Sequence, residues 1–306
     1  PQKNYTTKSD IYSTKSGLFP ADHFYQVYQD KAGNHWLLTD NGLGMIRPGE
    51  QQPVNYFVET QGKQDGMNQA FYAVRECEDD ICFTSDRGRI WCYQKKSGEF
   101  RLHELPTKAR ITSIHAVGND NTVVTTDSDG FFLSNLKTNK HIHYSPVTCK
   151  ELSDQPILSA YVDRTSEVWF EQEEPGVVVH FNPATGVVKR EQMRVEYSNA
   201  DRSRPAFHIH EDIHGHVWVH PYGGGFSYFD RDRNCLVPFY DDLGSNNWRF
   251  SNKIHAAFSD KQGNLWLCTH SKGLEKVTYR NVPFSMMIPV LHEHESLHNE
   301  VRALCE

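Results

Sequence analysis

The chain has 306 residues, of which 38% are hydrophobic and 12% are aromatic, and its formal net charge is −7. This charge argues against a nucleic-acid partner, because phosphate binding depends on clustered Lys and Arg. No apolar run approaches the roughly 18 residues of a membrane span, so we expect a soluble region whose membrane segment, if any, lies outside it.

A short motif recurs six times along the chain: an acidic residue, a polar turn, and then a strand rich in aromatic or β-branched residues. In the clearest copies a tryptophan follows the acidic residue by six positions, as Trp36 follows Asp30. The six copies begin at Asp30, Asp79, Asp120, Asp163, Asp212 and Asp260, in steps of 41 to 49 residues. A period in the mid-forties holds about four short strands, the unit of a propeller blade. Helical repeats are disfavoured because the segments between turns alternate or are β-rich.

The pattern therefore predicts an all-β fold, a β-propeller of four-stranded antiparallel blades with six repeats visible, forming part of a seven-bladed ring. The predicted blades cover residues 22–60, 70–105, 111–146, 157–194, 206–240 and 252–291 of a single domain, 1–306. Residues 1–21 and 297–306 are assigned to further blades.

The sixth repeat shows the predicted order of strands most plainly. Residues 253–259 form the first strand, 265–269 the second, 274–279 the third, and a short fourth strand follows near 283–287. Between the first two strands, Asp260 is expected to accept hydrogen bonds from backbone amides of the turn, and Gly263 to supply a positive φ. The tryptophans at 36, 169, 218 and 266 share one position per blade, which predicts packing between blades.

Cysteine and histidine give no metal or cofactor signature. The seven cysteines form no C-x-x-C pair, and we interpret most of them as small hydrophobic residues in strands. Cys82 and Cys92 could alternatively face each other across a hairpin as a disulfide. Histidines stand two apart at 141/143, 208/210 and 292/294, a spacing that places both rings on one strand face. No third or fourth ligand accompanies any pair, so we expect packing rather than a metal site.

The candidate binding residues lie on the rim opposite the Asp-x-x-Gly turns, where strand two meets strand three and strand four meets the next blade. The fifth repeat is the most unusual there, with His-Pro-Tyr-Gly-Gly-Gly in place of Thr-x-x-Gly. Aromatic rings can stack on sugars, and Arg can bond to hydroxyl or acidic groups. The predicted ligand residues are His220, Tyr222, Tyr240, Trp248, Arg249 and Arg204. The alternative is that the aromatic residues fill space between blades and that the glycines allow a tight bend.

Two enzyme hypotheses are weaker. A sialidase-like turn would place Asp and Gly two apart, whereas Asp260 and Gly263 are three apart. A glycosidase or lyase would need a paired acid and base, but the Glu173–Glu174 and Asp241–Asp242 pairs are expected to be solvated loop neighbours. No catalytic residue is predicted.

The pattern Asp-x-x-Gly-Asn-x-Trp-hydrophobic-x-Thr-x-x-Gly-Leu, at residues 30–43 and, with one extra residue, at 260–274, resembles the two-component regulator propeller repeat. The resemblance extends over essentially the whole chain, although Ile81 and Val123 stand where the second and third repeats would have Trp.

This resemblance implies a periplasmic sensor region of a hybrid histidine kinase anchored in the inner membrane. Proteins of this kind usually detect oligosaccharides released from glycans, and the kinase and DNA-binding output lie in other parts of their chains. It further implies a non-catalytic region, a homodimeric parent protein, and no cofactor. A propeller scaffold for protein partners is the alternative.

Overall fold

The computed structural model describes residues 12–57, 69–118, 120–193, 208–221, 226–238, 254–269, 273–277 and 285–287. These residues form six sheets, each of four antiparallel strands in sequential order, and the all-β blade prediction is confirmed. The described ranges contain no helix that is long and apolar enough to cross a bilayer.

The strands are numbered in chain order, four to each sheet. The first two sheets comprise β1 (Phe24–Gln29), β2 (His35–Thr39), β3 (Gly42–Ile46), β4 (Val54–Tyr56), β5 (Phe71–Glu76), β6 (Asp80–Ser85), β7 (Arg89–Gln94) and β8 (Phe100–Glu104). The next two comprise β9 (Ile111–Val117), β10 (Asn121–Thr126), β11 (Phe131–Asn135), β12 (Lys140–Tyr144), β13 (Ile157–Val162), β14 (Val168–Gln172), β15 (Val177–Asn182) and β16 (Val187–Gln192). The last two comprise β17 (His208–Glu211), β18 (Val217–His220), β19 (Ser227–Asp230), β20 (Cys235–Pro238), β21 (Ile254–Ser259), β22 (Leu265–Thr269), β23 (Leu274–Val277) and β24 (Ser285–Met287).

The chain divides into two compact units, Pro1–His143 and Tyr144–Glu306. The strands of each sheet begin and end along two opposite sides of the sheet. The side that carries the connection between the first and second strands is called the turn edge. The opposite side, where the first strand begins and the second strand ends, is called the loop edge. A single propeller over all 306 residues, with further blades at both termini, stays a prediction.

The turn between the first two strands is built around the leading aspartate, as the sequence predicts. Asp30 Oδ1 accepts hydrogen bonds from the backbone N–H groups of Ala32 (3.0 Å) and Asn34 (2.9 Å). Gly33 has a φ of 85°, a conformation that favours glycine. Asp260 accepts the same pair of backbone bonds at 3.0 and 2.8 Å.

The second carboxylate oxygen of the turn makes a bond that the sequence analysis does not include. Asp30 Oδ2 accepts the indole N–H of Trp36 at 2.9 Å. The same Asp–Trp bond recurs in the fourth, fifth and sixth repeats, at 3.1, 2.9 and 2.9 Å. Because the tryptophan follows the aspartate by six residues, its indole N–H reaches the carboxylate of the turn. This hydrogen bond pairs an N–H group that burial would otherwise leave without a partner.

Trp36, Trp169 and Trp218 pack against the neighbouring sheet of their unit, which confirms the packing prediction for these three residues. Trp266 is partly buried and lies beside Lys276 of its own sheet, so its packing between blades stays a prediction. Trp36 has no exposed surface and lies 4.8 Å, centroid to centroid, from Phe83 of the second sheet. In the second unit, Trp169 is equally buried and lies 4.8 Å from Phe229.

The second repeat corrects the sequence analysis. Cys77, not Asp79, occupies the leading position of its turn, because Cys77 N donates to Asp80 O (2.8 Å) as Asp30 N donates to Asn34 O (2.9 Å). This turn is one residue shorter, so Cys82 rather than Ile81 takes the tryptophan position.

Cys82 and Cys92 are joined by a disulfide, so the interpretation of these two cysteines as small hydrophobic residues is wrong. They are directly opposite each other on β6 and β7, as Trp36 is opposite Met45 in the first sheet. Both are buried and pack against the third sheet. The disulfide therefore fills the place that a tryptophan and its cross-strand partner fill elsewhere.

Buried glutamates link neighbouring sheets along the turn edge. Glu76, the last residue of β5, accepts hydrogen bonds from Tyr28 Oη (2.7 Å), the backbone N–H of Lys31 (3.2 Å) and Lys95 Nζ (2.7 Å). Glu211, the last residue of β17, likewise accepts a hydrogen bond from the backbone N–H of Arg164, in the turn of the fourth sheet (2.9 Å). These contacts fix the second sheet against the first and the fifth sheet against the fourth.

Candidate functional site

Of the six predicted ligand residues, His220 lies among the described residues. The other five, Tyr222, Tyr240, Trp248, Arg249 and Arg204, lie outside them. The structure therefore brings no two of the predicted ligand residues together, and their role stays a prediction.

His220 ends β18 at the loop edge of the fifth sheet, and its side chain has no exposed surface. Its Nε2 accepts a hydrogen bond from the backbone N–H of Ile254, the first residue of β21 (3.2 Å). This ring links two neighbouring sheets. Contact between His220 and a ligand stays a prediction, but the burial favours the packing alternative.

The loop edge of the first unit carries a different group, which we call the tyrosine platform: Tyr25, Tyr72 and Arg110. Tyr25 and Tyr72 lie near the starts of β1 and β5, with ring centroids 4.9 Å apart and planes inclined at 54°. The Arg110 guanidinium carbon lies 5.3 Å from the centre of the Tyr72 ring. Three consecutive sheets thus contribute one side chain each to a continuous surface.

Two carboxylates hold this platform in place. The Tyr72 hydroxyl donates to Asp86, at 3.0 Å from Oδ1 and 3.2 Å from Oδ2. Asp127 accepts the backbone N–H of Arg110 at 3.2 Å and pairs with its Nε at 3.4 Å. Burial and the adjacent Asp86 carboxylate raise the pKa of Tyr72, which is consistent with a protonated hydroxyl that donates to Asp86.

Sequence reasoning missed the platform because it looked for unusual loops, whereas these residues stand at ordinary strand starts. A signal was present: His23, Tyr25 and Tyr72 place aromatic rings at the loop edge of two successive repeats. Their proximity depends on the spacing of the sheets, which a linear pattern does not contain.

The turn edge of the second unit has a groove of about 460 Å³ between the fourth and fifth sheets. Arg164 and Arg231 line it, together with His214. Both guanidinium groups are occupied: Arg231 pairs with Asp163 (3.1 Å) and Arg164 with Glu211 (2.6 Å). The arginines therefore serve to connect the sheets.

The described residues contain one cluster with metal-ligand atoms close together, formed by Asp80, Cys82 and Cys92. Its two sulfurs are bonded to each other, which removes the thiolates that a metal would need. In the predicted histidine pairs, His143 bonds to Asp129 O (2.8 Å) and His210 to Ser259 Oγ (2.6 Å). The pair at 292 and 294 lies outside the described residues.

The acidic pair at 173 and 174 is not arranged as an acid and base. Glu174 forms an ion pair with Arg190, and its hydrogen bond from this guanidinium lowers the Glu174 pKa. A general acid needs the opposite shift. The pair at 241 and 242 lies outside the described residues.

Residues 249–271 match the family model described as two component regulator propeller. The matched segment lies in the sixth repeat, and it confirms the resemblance there. No curated protein matches the chain.

The fold is similar to the extracellular domains of two hybrid two-component systems from B. thetaiotaomicron, at 17% and 16% sequence identity and TM-scores of 0.55 and 0.56. These similarities cover 93% and 92% of this chain, which spans only 37% and 34% of those chains. Virginiamycin B lyase from Staphylococcus aureus is also similar, with 14% identity, a TM-score of 0.53, and coverage of 90% of this chain and 86% of that one. At such identities the likeness shows the fold, which is a β-propeller.

Proposed function

We propose that the chain is the ligand-sensing propeller of the extracytoplasmic part of a hybrid two-component signalling protein, and that its ligand is an oligosaccharide from polysaccharide breakdown. The observation that carries this proposal is the regulator-propeller repeat at residues 249–271, within a chain whose described residues form six blades of the same kind. The similar extracellular domains from B. thetaiotaomicron support it.

The Cys82–Cys92 disulfide supports an extracytoplasmic location. Disulfides persist in the periplasm and outside the cell, and they are rare in the reducing cytosol. In this proposal the propeller is the periplasmic portion of a homodimeric inner-membrane protein, and a kinase elsewhere in the longer protein receives the signal.

Thermal-shift screening of the chain, and of the longer natural protein that contains it, against defined oligosaccharides tests the proposal. A ligand at about 100 times its Kd should stabilise the fold by about 2.7 kcal/mol, enough for a visible shift. We expect one glycan class to raise the Tm and to be recovered unchanged.

Other outcomes would point to a different function. Cleavage of the bound glycan would indicate a lyase or glycosidase. A flat response to the whole panel would contradict sugar sensing and would favour a scaffold for protein partners.

A further inference from the structure

We propose that the tyrosine platform binds one ring of a neutral saccharide. The ligand class rests on the proposed function, whereas the site rests on residues that the sequence analysis did not select.

The exposure of Tyr25 is the first observation. Tyr25 is 47% exposed, and among the described residues it is the only aromatic residue in the group of exposed large hydrophobic residues. Trp36, Trp169 and Trp218, by contrast, pack between sheets. Tyr25 therefore leaves apolar ring surface accessible to a ligand at the loop edge.

The second observation is that the ring is held in place before any ligand arrives. Tyr25 packs on Tyr72, which is fixed by its bond to Asp86 and by the Arg110 guanidinium beside its ring. A ligand that stacks on Tyr25 would therefore order few side chains, and this reduces the entropic cost of binding.

The surrounding groups favour a sugar over other small ligands. A pyranose ring offers C–H groups to an aromatic face and hydroxyl groups to polar neighbours at its edge. Asp86 and Asp127 lie beside the platform and can accept hydrogen bonds from hydroxyl groups. The combination of a stacking face with flanking acceptors matches this chemistry.

The charges decide between neutral and acidic sugars. The charged groups that contact Tyr72 and Arg110 are the Arg110 guanidinium itself and the Asp86 and Asp127 carboxylates, and the titratable His23 ring lies 6.5 Å from the Tyr25 ring. Arg110 already pairs with Asp127, so its guanidinium is not free to pair with a uronate or sulfate. The two carboxylates would repel an acidic ring.

Isothermal titration with neutral oligosaccharides, and with oligouronates of the same length, tests the proposal. Tyr25→Ala should weaken neutral-glycan binding about tenfold, equivalent to about 1.4 kcal/mol. Tyr25→Phe keeps the ring and should bind within about twofold of the parent chain. Val27→Ala changes another exposed residue of β1 (60% exposed) and serves as the matched control, with no expected effect. Circular dichroism checks that each variant is folded.

The outcomes separate the site from the function. Glycan binding that is undiminished in Tyr25→Ala would overturn the platform and leave the proposed function standing. Tighter binding of uronates would overturn the neutral class. An absence of binding to every glycan by the parent chain would overturn the platform and the proposed function together.

Discussion

The turn aspartate is the residue on which each regular blade depends. In the first repeat, one oxygen of Asp30 closes the turn through two backbone bonds, and the other accepts the Trp36 indole. Burial raises the pKa of Asp30, but the bonds from Asn34, Trp36 and the backbone outweigh it, and the net pKa lies below its usual value. Both oxygens of the Asp30 carboxylate therefore accept hydrogen bonds.

Asp30→Asn should destabilise the fold by about 1–3 kcal/mol, because an amide cannot accept all of these bonds and leaves a buried donor unpaired. Urea unfolding followed by tryptophan fluorescence measures the loss. Asp40→Asn, at an exposed position after β2, is the control and should change stability little. Equal losses in the two variants would contradict the role given to Asp30.

At the scale of the element, the second sheet keeps the blade geometry without the Asp–Trp pair. Cys77 leads its turn, and the Cys82–Cys92 disulfide fills the interface with the third sheet. A covalent link across β6 and β7 thus replaces the packing of an indole ring.

Replacing both disulfide cysteines by alanine should lower the unfolding free energy by roughly 2–3 kcal/mol, since the crosslink closes a short loop in the unfolded chain. Reductant should have a comparable effect on the parent chain. Cys235→Ser removes a free cysteine and should leave the effect of reductant unchanged. Identical urea midpoints with and without reductant would show that the crosslink does not stabilise the fold.

The contact between neighbouring sheets depends on Glu76 in the first unit. Its side chain is only 4% exposed and is bonded to Tyr28, Lys31 and Lys95. Glu76→Gln should cost about 1–3 kcal/mol in urea unfolding, because it weakens buried charge-assisted bonds. Glu104→Gln breaks the exposed pair with Arg89 and should cost under about 1 kcal/mol. A larger loss of unfolding free energy in Glu104→Gln than in Glu76→Gln would contradict the role given to Glu76.

At the scale of the whole molecule, buried histidines give the fold a pH dependence. Burial lowers the pKa of several imidazoles below 6.5, because it disfavours the charged form. These residues are His103, His115, His141, His180 and His210. Below pH 6.5 the unfolded chain binds more protons than the folded one, so stability falls as the pH falls.

The unfolding free energy should therefore decline from pH 7 towards pH 5 and decline again below about pH 4. The second decline comes from the turn carboxylates, which must be protonated as the pH falls. Burial alone would raise the pKa of Asp260, but hydrogen bonds from Trp266, Asn264 and the backbone outweigh burial and lower this pKa to about 2. Urea titrations at successive pH values measure both steps. His115→Gln should reduce the first step and spare the second; a constant stability between pH 7 and 5 would contradict the histidine account.

Much of the fold follows from local spacing. A turn aspartate with a tryptophan six residues later repeats because hairpin geometry is set within a few residues, and the second strand of the sixth repeat is predicted at its observed bounds, Leu265–Thr269. The second repeat was misassigned because its turn is shorter by one residue, and a one-residue shift moves every side chain to the other face.

The sequence alone determined the all-β class, the number of visible repeats and the inward packing of Trp36, Trp169 and Trp218, since periodicity and turn chemistry are local properties. Only the tertiary structure decided that Cys82 bonds to Cys92, that Glu76 joins two sheets, and that Tyr25, Tyr72 and Arg110 meet on one surface. Tyr25 and Tyr72 are 47 positions apart in the sequence, and Tyr72 and Arg110 are 38 positions apart. They come together because the three sheets of the first unit stack side by side, and the distance between these sheets is set by core packing rather than by any local pattern.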